Sequence, residues 1–216
     1  MIKLKGSKRC ILDLIESSNY ISTMNSLLGG SGFVISKYDS WKPLGRENDE
    51  EAELKDFLSA HFGKNLADEI KSWWLALPSS RSRTPNWDLV STCTFNGKKA
   101  LLLVEAKAHV AELTNESKGK PLSRNASANS IKNHAHITKA IETAKNEIWK
   151  SGSEINISIG NCYQLSNRIA HAWWLASNGI PVVLLYLGFL KVEDMRDGKN
   201  KIFEKESDWN DCFLTL

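Results

Sequence analysis

Pro85-Asn86-Trp87-Asp88-Leu89-Val90-Ser91-Thr92-Cys93-Thr94-Phe95, then Asn96-Gly97, then Lys98-Lys99-Ala100-Leu101-Leu102-Leu103-Val104-Glu105-Ala106-Lys107, is the stretch that decides the fold. Asn86 to Phe95 and Lys98 to Ala108 are rich in β-branched and large apolar residues. Asn-Gly between them is a strong hairpin signal, because both residues tolerate positive φ. A two-residue turn closes the pair Phe95 and Lys98. Counting outward, Asp88 falls opposite Glu105 and Asn86 opposite Lys107. Opposed residues share a sheet face with Cβ atoms roughly 4.5–5.5 Å apart, and alternation keeps Glu105 and Lys107 on that face. A three-residue turn would slip the register by one and send Asp88 to the other side. The opposite face carries Trp87, Leu89, Cys93, Leu102, Val104 and Ala106, which read as core.

The chemistry follows from the residue types. Two neighbouring carboxylates hold a hard cation such as Mg²⁺, which keeps waters that substrate phosphates can displace. Such an ion activates a water and stabilises charge on an attacked phosphate, and a partly buried lysine can neutralise that phosphate or orient the water. The plain alternative is a strand end whose charges face solvent. Four apolar residues, Leu101 to Val104, precede Glu105, so a central strand ending in a polar site is the better reading, since buried charges need partners.

Asp88, a hairpin, and then Glu105-Ala106-Lys107 at the end of an apolar strand together resemble the PD-(D/E)XK nuclease superfamily, the restriction-endonuclease-like fold. Trp87 stands where that pattern has proline. The resemblance implies that Asp88 and Glu105 hold the metal, with the Ala106 carbonyl as a further ligand, and that Lys107 assists catalysis. It further implies Mg²⁺ as cofactor, with Mn²⁺ as substitute, and phosphodiester hydrolysis in DNA by a metal-activated water.

The surroundings fit that fold. Asn48 or Asp49 can cap a helix running from Glu50 to about Phe62, with acidic residues in its first turn and Leu54, Phe57, Leu58 and Phe62 as its apolar stripe. Glu50 and Glu51 lie at the edges of the buried side, and either resembles the superfamily's first-helix glutamate near the metal. A solvated charge at a helix start is an equal alternative. Ala135 to Lys150 reads as an amphipathic helix, as does Asn161 to Ser177. In the second, Leu165, Ile169, Ala172 and Trp173 form an apolar stripe, and Gln164, Asn167, Arg168 and His171 a polar one. Gln164 and Arg168 resemble the superfamily's auxiliary residues, Gln164 as a catalytic helper. Ile180 to Leu190 follows as an apolar strand expected to be buried.

Composition sets the bounds. With 216 residues and a net charge of +3, the chain suits one α/β domain, a restriction-endonuclease-like core with a mixed central sheet flanked by helices. An N-terminal helical extension covers about residues 1–30, and a flexible loop about 114–130. No run is long enough to span a bilayer, so a cytoplasmic protein without membrane contact is expected. Cys10, Cys93, Cys162 and Cys212 lack C-x-x-C spacing and read as reduced thiols. Arg81 and Arg83 precede Asp88 in a Ser/Arg segment, while Lys118, Lys120 and Arg124 lie in a Ser/Asn-rich one. Arg81, Arg83, Lys118 and Lys120 are therefore expected to contact a nucleic-acid backbone, and the resemblance adds Arg168 to them. Trp73-Trp74 and Trp173-Trp174 should each bury one ring. The expected function is a Mg²⁺-dependent nuclease acting on DNA, with a homodimer left open. The alternatives are a catalytically inactive nucleic-acid-binding or assembly module of the same fold, and RNA as substrate.

Overall fold

Asn96 and Gly97 take φ values of 48° and 74°, and the turn they form sets the pairing of the two strands beside it. A side chain other than glycine or asparagine would strain that left-handed turn. In the computed structural model, which describes residues 4–77, 83–196 and 201–214, Phe95 pairs with Lys98 and the ladder runs antiparallel to Leu89 and Val104. That is the register counted from the turn.

The elements run α1 (Gly6–Glu16), α2 (Tyr20–Leu27), β1 (Phe33–Val34), β2 (Trp41–Lys42), β3 (Ala52–Glu53), α3 (Leu54–His61), α4 (Lys64–Trp74), β4 (Asn86–Trp87), β5 (Leu89–Phe95), β6 (Lys98–Lys107), α5 (Val110–Thr114), α6 (Ala128–Lys150), α7 (Tyr163–Ser177), β7 (Val182–Gly188) and α8 (Glu206–Phe213). They divide into two compact units. The first comprises Met1–Ala52, Asn86–Asn115 and Gly179–Leu216, and the second Glu53–Pro85 and Glu116–Asn178.

The first unit is built on a mixed sheet. β1 and β2 both pair with β5, β5 with β6, and β6 runs parallel to β7. Leu89, Cys93, Ala100, Leu102, Val104 and Ala106 project to one face and pack with Ile11, Leu12 and Ile15 of α1 and Tyr20 and Met24 of α2. The N-terminal helices are thus part of the core. Their buried positions recur at helical spacing, which a sheet face can cover. β7 was expected to be buried, but its residues from Val182 to Gly188 are all half-buried. Among the described strands its one neighbour is β6, so it is an edge, and an edge strand keeps one side open.

The second unit is helical. Trp74 and Leu75, at the end of α4, pack with Ile137, Ala140, Ile141 and Ala144 of α6 and Ala170 of α7. Two boundaries differ from expectation. The helix expected from Glu50 starts at Leu54, because its first amides find partners in the returning chain: Leu54 N–H donates to Pro85 O (3.1 Å) and Lys55 N–H to Thr84 Oγ1 (2.9 Å). With those donors satisfied, no cap is needed at Asn48 or Asp49, and the residues ahead of Leu54 are extended. α6 starts at Ala128, inside the expected loop, because Ser127 Oγ accepts the Ser130 amide as an N-cap.

α7 buries the stripe that sequence reading assigned to the polar side. Ser166, Asn167, Arg168, Ala170, His171, Trp174 and Leu175 are buried, whereas Leu165, Ile169, Ala172 and Trp173 are half-buried. One ring of each tryptophan pair is buried, Trp74 and Trp174, and Trp73 stacks on Trp174 with centroids 5.6 Å apart. No helix among the described residues is long and apolar enough to cross a membrane.

Candidate functional site

β6 positions the site. Leu101 to Val104 are wholly buried, and the strand continues with Glu105 and Lys107, which are 3 % and 5 % exposed. Alternation puts both charged side chains on one face, where Lys107 Nζ donates to Glu105 Oε1 at 2.6 Å. A buried ion pair this short satisfies one lone pair of the carboxylate and neutralises one of the charges the strand carries inward.

Asp88 occupies the bend between β4 and β5, one step beyond the last ladder pair, Leu89 with Val104. Its departure from the strand goes with a side-chain contact to β6. The carboxylate Oδ2 accepts the main-chain N–H of Ala106 at 2.7 Å and so takes the place of a ladder carbonyl. The expected strand position directly across from Glu105 is therefore a bend. The counted register still brings Asp88 to the same end of β6. Lys107 O accepts from Phe189 N–H, beyond β7, at 2.8 Å, so Lys107 turns its main-chain groups to the β7 side. Ala106, one residue back, turns its amide and carbonyl to the side of Asp88.

The electrostatics couple these groups. Burial pushes the Asp88 carboxyl up to about 7, and the neighbouring Glu105 charge pushes the same way. The Ala106 amide and Lys107 pull down, and Glu51 adds a further upward push. Two carboxylates thus feel each other inside the fold, and one of them holds a proton near neutrality. Glu50 and Glu51 are exposed on the extended chain ahead of α3, so no helix presents them, and Glu51 acts on Asp88 through its charge.

Several neighbours could not be read from the sequence. Parallel pairing sets Tyr186 beside Glu105 and Gly188 beside Lys107. A Cβ on Gly188 would lie 2.4 Å from the Trp209 ring, so Trp209 of α8 stands over that face of the sheet next to Lys107. No short turn joins β6 to β7, so no count along the chain finds this register. His109, two residues past the end of β6, is the N-cap of α5. Its Nδ1 accepts the Glu112 amide at 3.3 Å, its Nε2 lies 3.6 Å from Glu112 Oε1, and Glu112 Oε2 accepts the Ala108 amide at 2.6 Å. The His-x-x-Glu spacing of a capping box was the available signal for that arrangement.

The remaining expected residues belong to the second unit. Gln164 is half-buried on α7, and Arg168 on the same helix is 7 % exposed. Arg168 therefore sits in the buried stripe, not on the solvated face expected of a backbone contact. Arg83, Lys118 and Lys120 are exposed, and Arg81 lies outside the described residues. Cys10, Cys93, Cys162 and Cys212 form no disulfide, and the first three are buried.

No group of three or more His, Cys, Asp or Glu side chains gathers as a metal cage among the described residues. The donor set at β6 is of a different kind: two carboxylates whose charges oppose each other, with a main-chain carbonyl turned to their side. It suits a hard divalent ion that takes its other oxygens from water or phosphate, and such an ion would offset the burial, and with it the Glu105 charge, that raise Asp88. No family model, no curated protein and no solved structure matches this chain.

Proposed function

We propose that the protein is a metal-dependent nuclease that hydrolyses phosphodiester bonds in DNA, with its site at the end of β6. The observation that carries this reading is the placement of Asp88, held by the Ala106 amide, at the end of β6 where the Glu105–Lys107 ion pair is buried, on a strand whose preceding residues are apolar. Burying like charges at one strand end costs stability, and sites that do so are enriched in function.

In this reading Asp88, Glu105 and the Ala106 carbonyl hold Mg²⁺, or Mn²⁺ in its place. When bound, the ion supplies Lewis-acid stabilisation of the charge that develops on the phosphate. The chain's own groups do the rest. The Ala106 amide fixes Asp88 Oδ2, which aims the other carboxylate oxygen. Glu105 holds the Lys107 ammonium in place, so its position is fixed before substrate arrives. Lys107 then donates to a phosphate oxygen or holds the attacking water. DNA as substrate rests on the resemblance of Asp88 and Glu105-Ala106-Lys107 to the PD-(D/E)XK pattern. The cytoplasm, with its Mg²⁺, is the compartment this chemistry suits.

One observation favours a second reading. Glu105 Oε1 is already engaged by Lys107 at 2.6 Å, an internally satisfied pair that a module binding nucleic acid without turnover could also keep. The deciding experiment is cleavage of single-stranded, nicked and duplex DNA, and of RNA, with Mg²⁺ or Mn²⁺, comparing the chain with Lys107→Ala. Cleavage by the unaltered chain alone supports the nuclease. Equal cleavage by both rejects the assigned site, and binding without cleavage selects the second reading.

A further inference from the structure

The second unit contains a cleft of about 590 Å³, within the range of small-molecule sites. Arg83 and Lys120 line it from segments far apart in sequence, and no carboxylate is among its lining residues. Leu75 and Ile137, both from the unit's core, supply apolar surface, and Ser127 and Asn133 supply polar groups.

Lys120 is held in place. Its N–H donates to Ile159 O at 2.8 Å, and its carbonyl lies 2.8 Å from His134 Nε2, which must carry the proton because a carbonyl only accepts. Its Nζ donates to the Tyr163 hydroxyl at 3.1 Å and lies 4.7 Å over the ring. Two of its three ammonium hydrogens are left for a ligand. Arg83 Nη1 contacts Glu53 Oε2 at 2.9 Å, but that carboxylate also takes the Thr84 amide (2.9 Å) and hydroxyl (3.2 Å) through Oε1. It anchors the start of α3 while leaving most of the guanidinium's five donors open.

We infer that this cleft binds the phosphate of a nucleotide, with Arg83 and Lys120 on the anion and the apolar wall against its sugar and base. Lys120, held by the Tyr163 hydroxyl, and Arg83, through the donors its Glu53 contact leaves, offer an anion two cations on one cleft. Nearby apolar surface and an asparagine amide add a place for a planar base, which inorganic phosphate would not use. The phosphate can come from a nucleic-acid strand or from a free mononucleotide. This inference stands without the cleavage chemistry proposed for β6.

The test is fluorescence anisotropy of a dye-labelled single-stranded DNA oligonucleotide with the full chain in EDTA, with unlabelled dAMP and inorganic phosphate as competitors. We expect Arg83→Gln/Lys120→Gln to bind the oligonucleotide at least tenfold more weakly, with a salt dependence shallower by about 1.4 in log–log slope, roughly 0.7 for each cation lost. Lys98→Ala at the hairpin should bind as the unaltered chain does. Leu122→Glu, which adds a like charge at the exposed cleft wall without removing a cation, should also weaken binding. Displacement by dAMP and not by phosphate identifies a free nucleotide as ligand, whereas loss of strand binding with no dAMP competition identifies the strand. Unchanged binding by the double variant, or no binding by the folded unaltered chain, overturns the inference. Neither result depends on metal, so a failure here leaves the cleavage assay to judge the β6 site separately.

Discussion

β6 and α7 both bury polar side chains, and they do so in opposite ways. At the end of β6 the groups are charged and engaged: Lys107 pairs with Glu105, and Asp88 takes an amide. On α7, His171 is wholly buried and kept neutral, with burial pushing its pKa down to about 3. Its Nδ1 meets Asn167 O at 2.9 Å, while its Nε2 and Asn167 Oδ1 have no hydrogen-bond partner. Trp73 meets its ring edge-on, with centroids 5.2 Å apart, and Trp74 lies 4.3 Å away. The difference teaches what each region can do. Charges held close by an opposite charge and an amide are the arrangement on which the proposed metal and phosphate chemistry rests. A neutral imidazole walled by indoles is packing with a polar remainder.

The largest effect should come from breaking the charged side of this contrast. Lys107→Met should abolish cleavage by about 10²-fold or more and lower stability by about 3 kcal/mol, because it leaves Glu105 buried without its cation. Adding Glu105→Gln should recover most of the stability and none of the activity. Chemical denaturation of the parent and the two variants beside a cleavage assay checks this. Equal stability of Lys107→Met and the parent would show that the pair is not coupled.

The pH dependence should separate the two regions by sign. Asp88 titrates near 7 when folded and near 3.8 when unfolded, so between these values the native state holds more protons and stability falls as pH rises. His171 titrates near 3 when folded and near 6.5 when unfolded, so the native state holds fewer protons and stability falls as pH drops through that window. Asp88→Asn should therefore be more stable than the parent above pH 7 and nearly equal to it near pH 4. His171→Leu should flatten the acid side alone. Urea midpoints measured from pH 4 to 8 read both slopes, and matching slopes in all three proteins would refute the assignment.

Mg²⁺ should sharpen the contrast further. At pH 8 an ion at 100 times its Kd should stabilise the parent by about 2.7 kcal/mol. It should do so much less at pH 5, where Asp88 is protonated, and not at all in Asp88→Asn. Proton release on Mg²⁺ addition near pH 7, read by calorimetry in two buffers, is the independent check. The smallest effect belongs to α7: at pH 7, His171→Leu should change stability by no more than about 1 kcal/mol, since it removes an unpaired buried nitrogen together with one hydrogen bond.

Legibility in the sequence followed the range of the interactions. Asn96-Gly97 and period-two alternation made the pairing of β5 with β6 countable, so Glu105 and Lys107 on one face and Asp88 near them could be read directly. Asp88's bend could not, because it depends on an amide eighteen residues away. The start of α3 was misplaced for the same reason: its capping partners, Thr84 and Pro85, return from across a helix pair. On α7 residue polarity pointed to the wrong face, since Asn167, Arg168 and His171 are buried although their side chains are polar.

By itself, then, the sequence determined the hairpin, its register and the charge pattern at its end, all products of local turn geometry and strand periodicity. Only the tertiary structure decided that β7 lies beside β6 as an edge, that Trp209 stands over Gly188, that the polar stripe of α7 turns inward, and that Arg83 and Lys120 line one cleft. Those outcomes depend on long-range burial and pairing, which hydrophobic patterning within a single element does not encode.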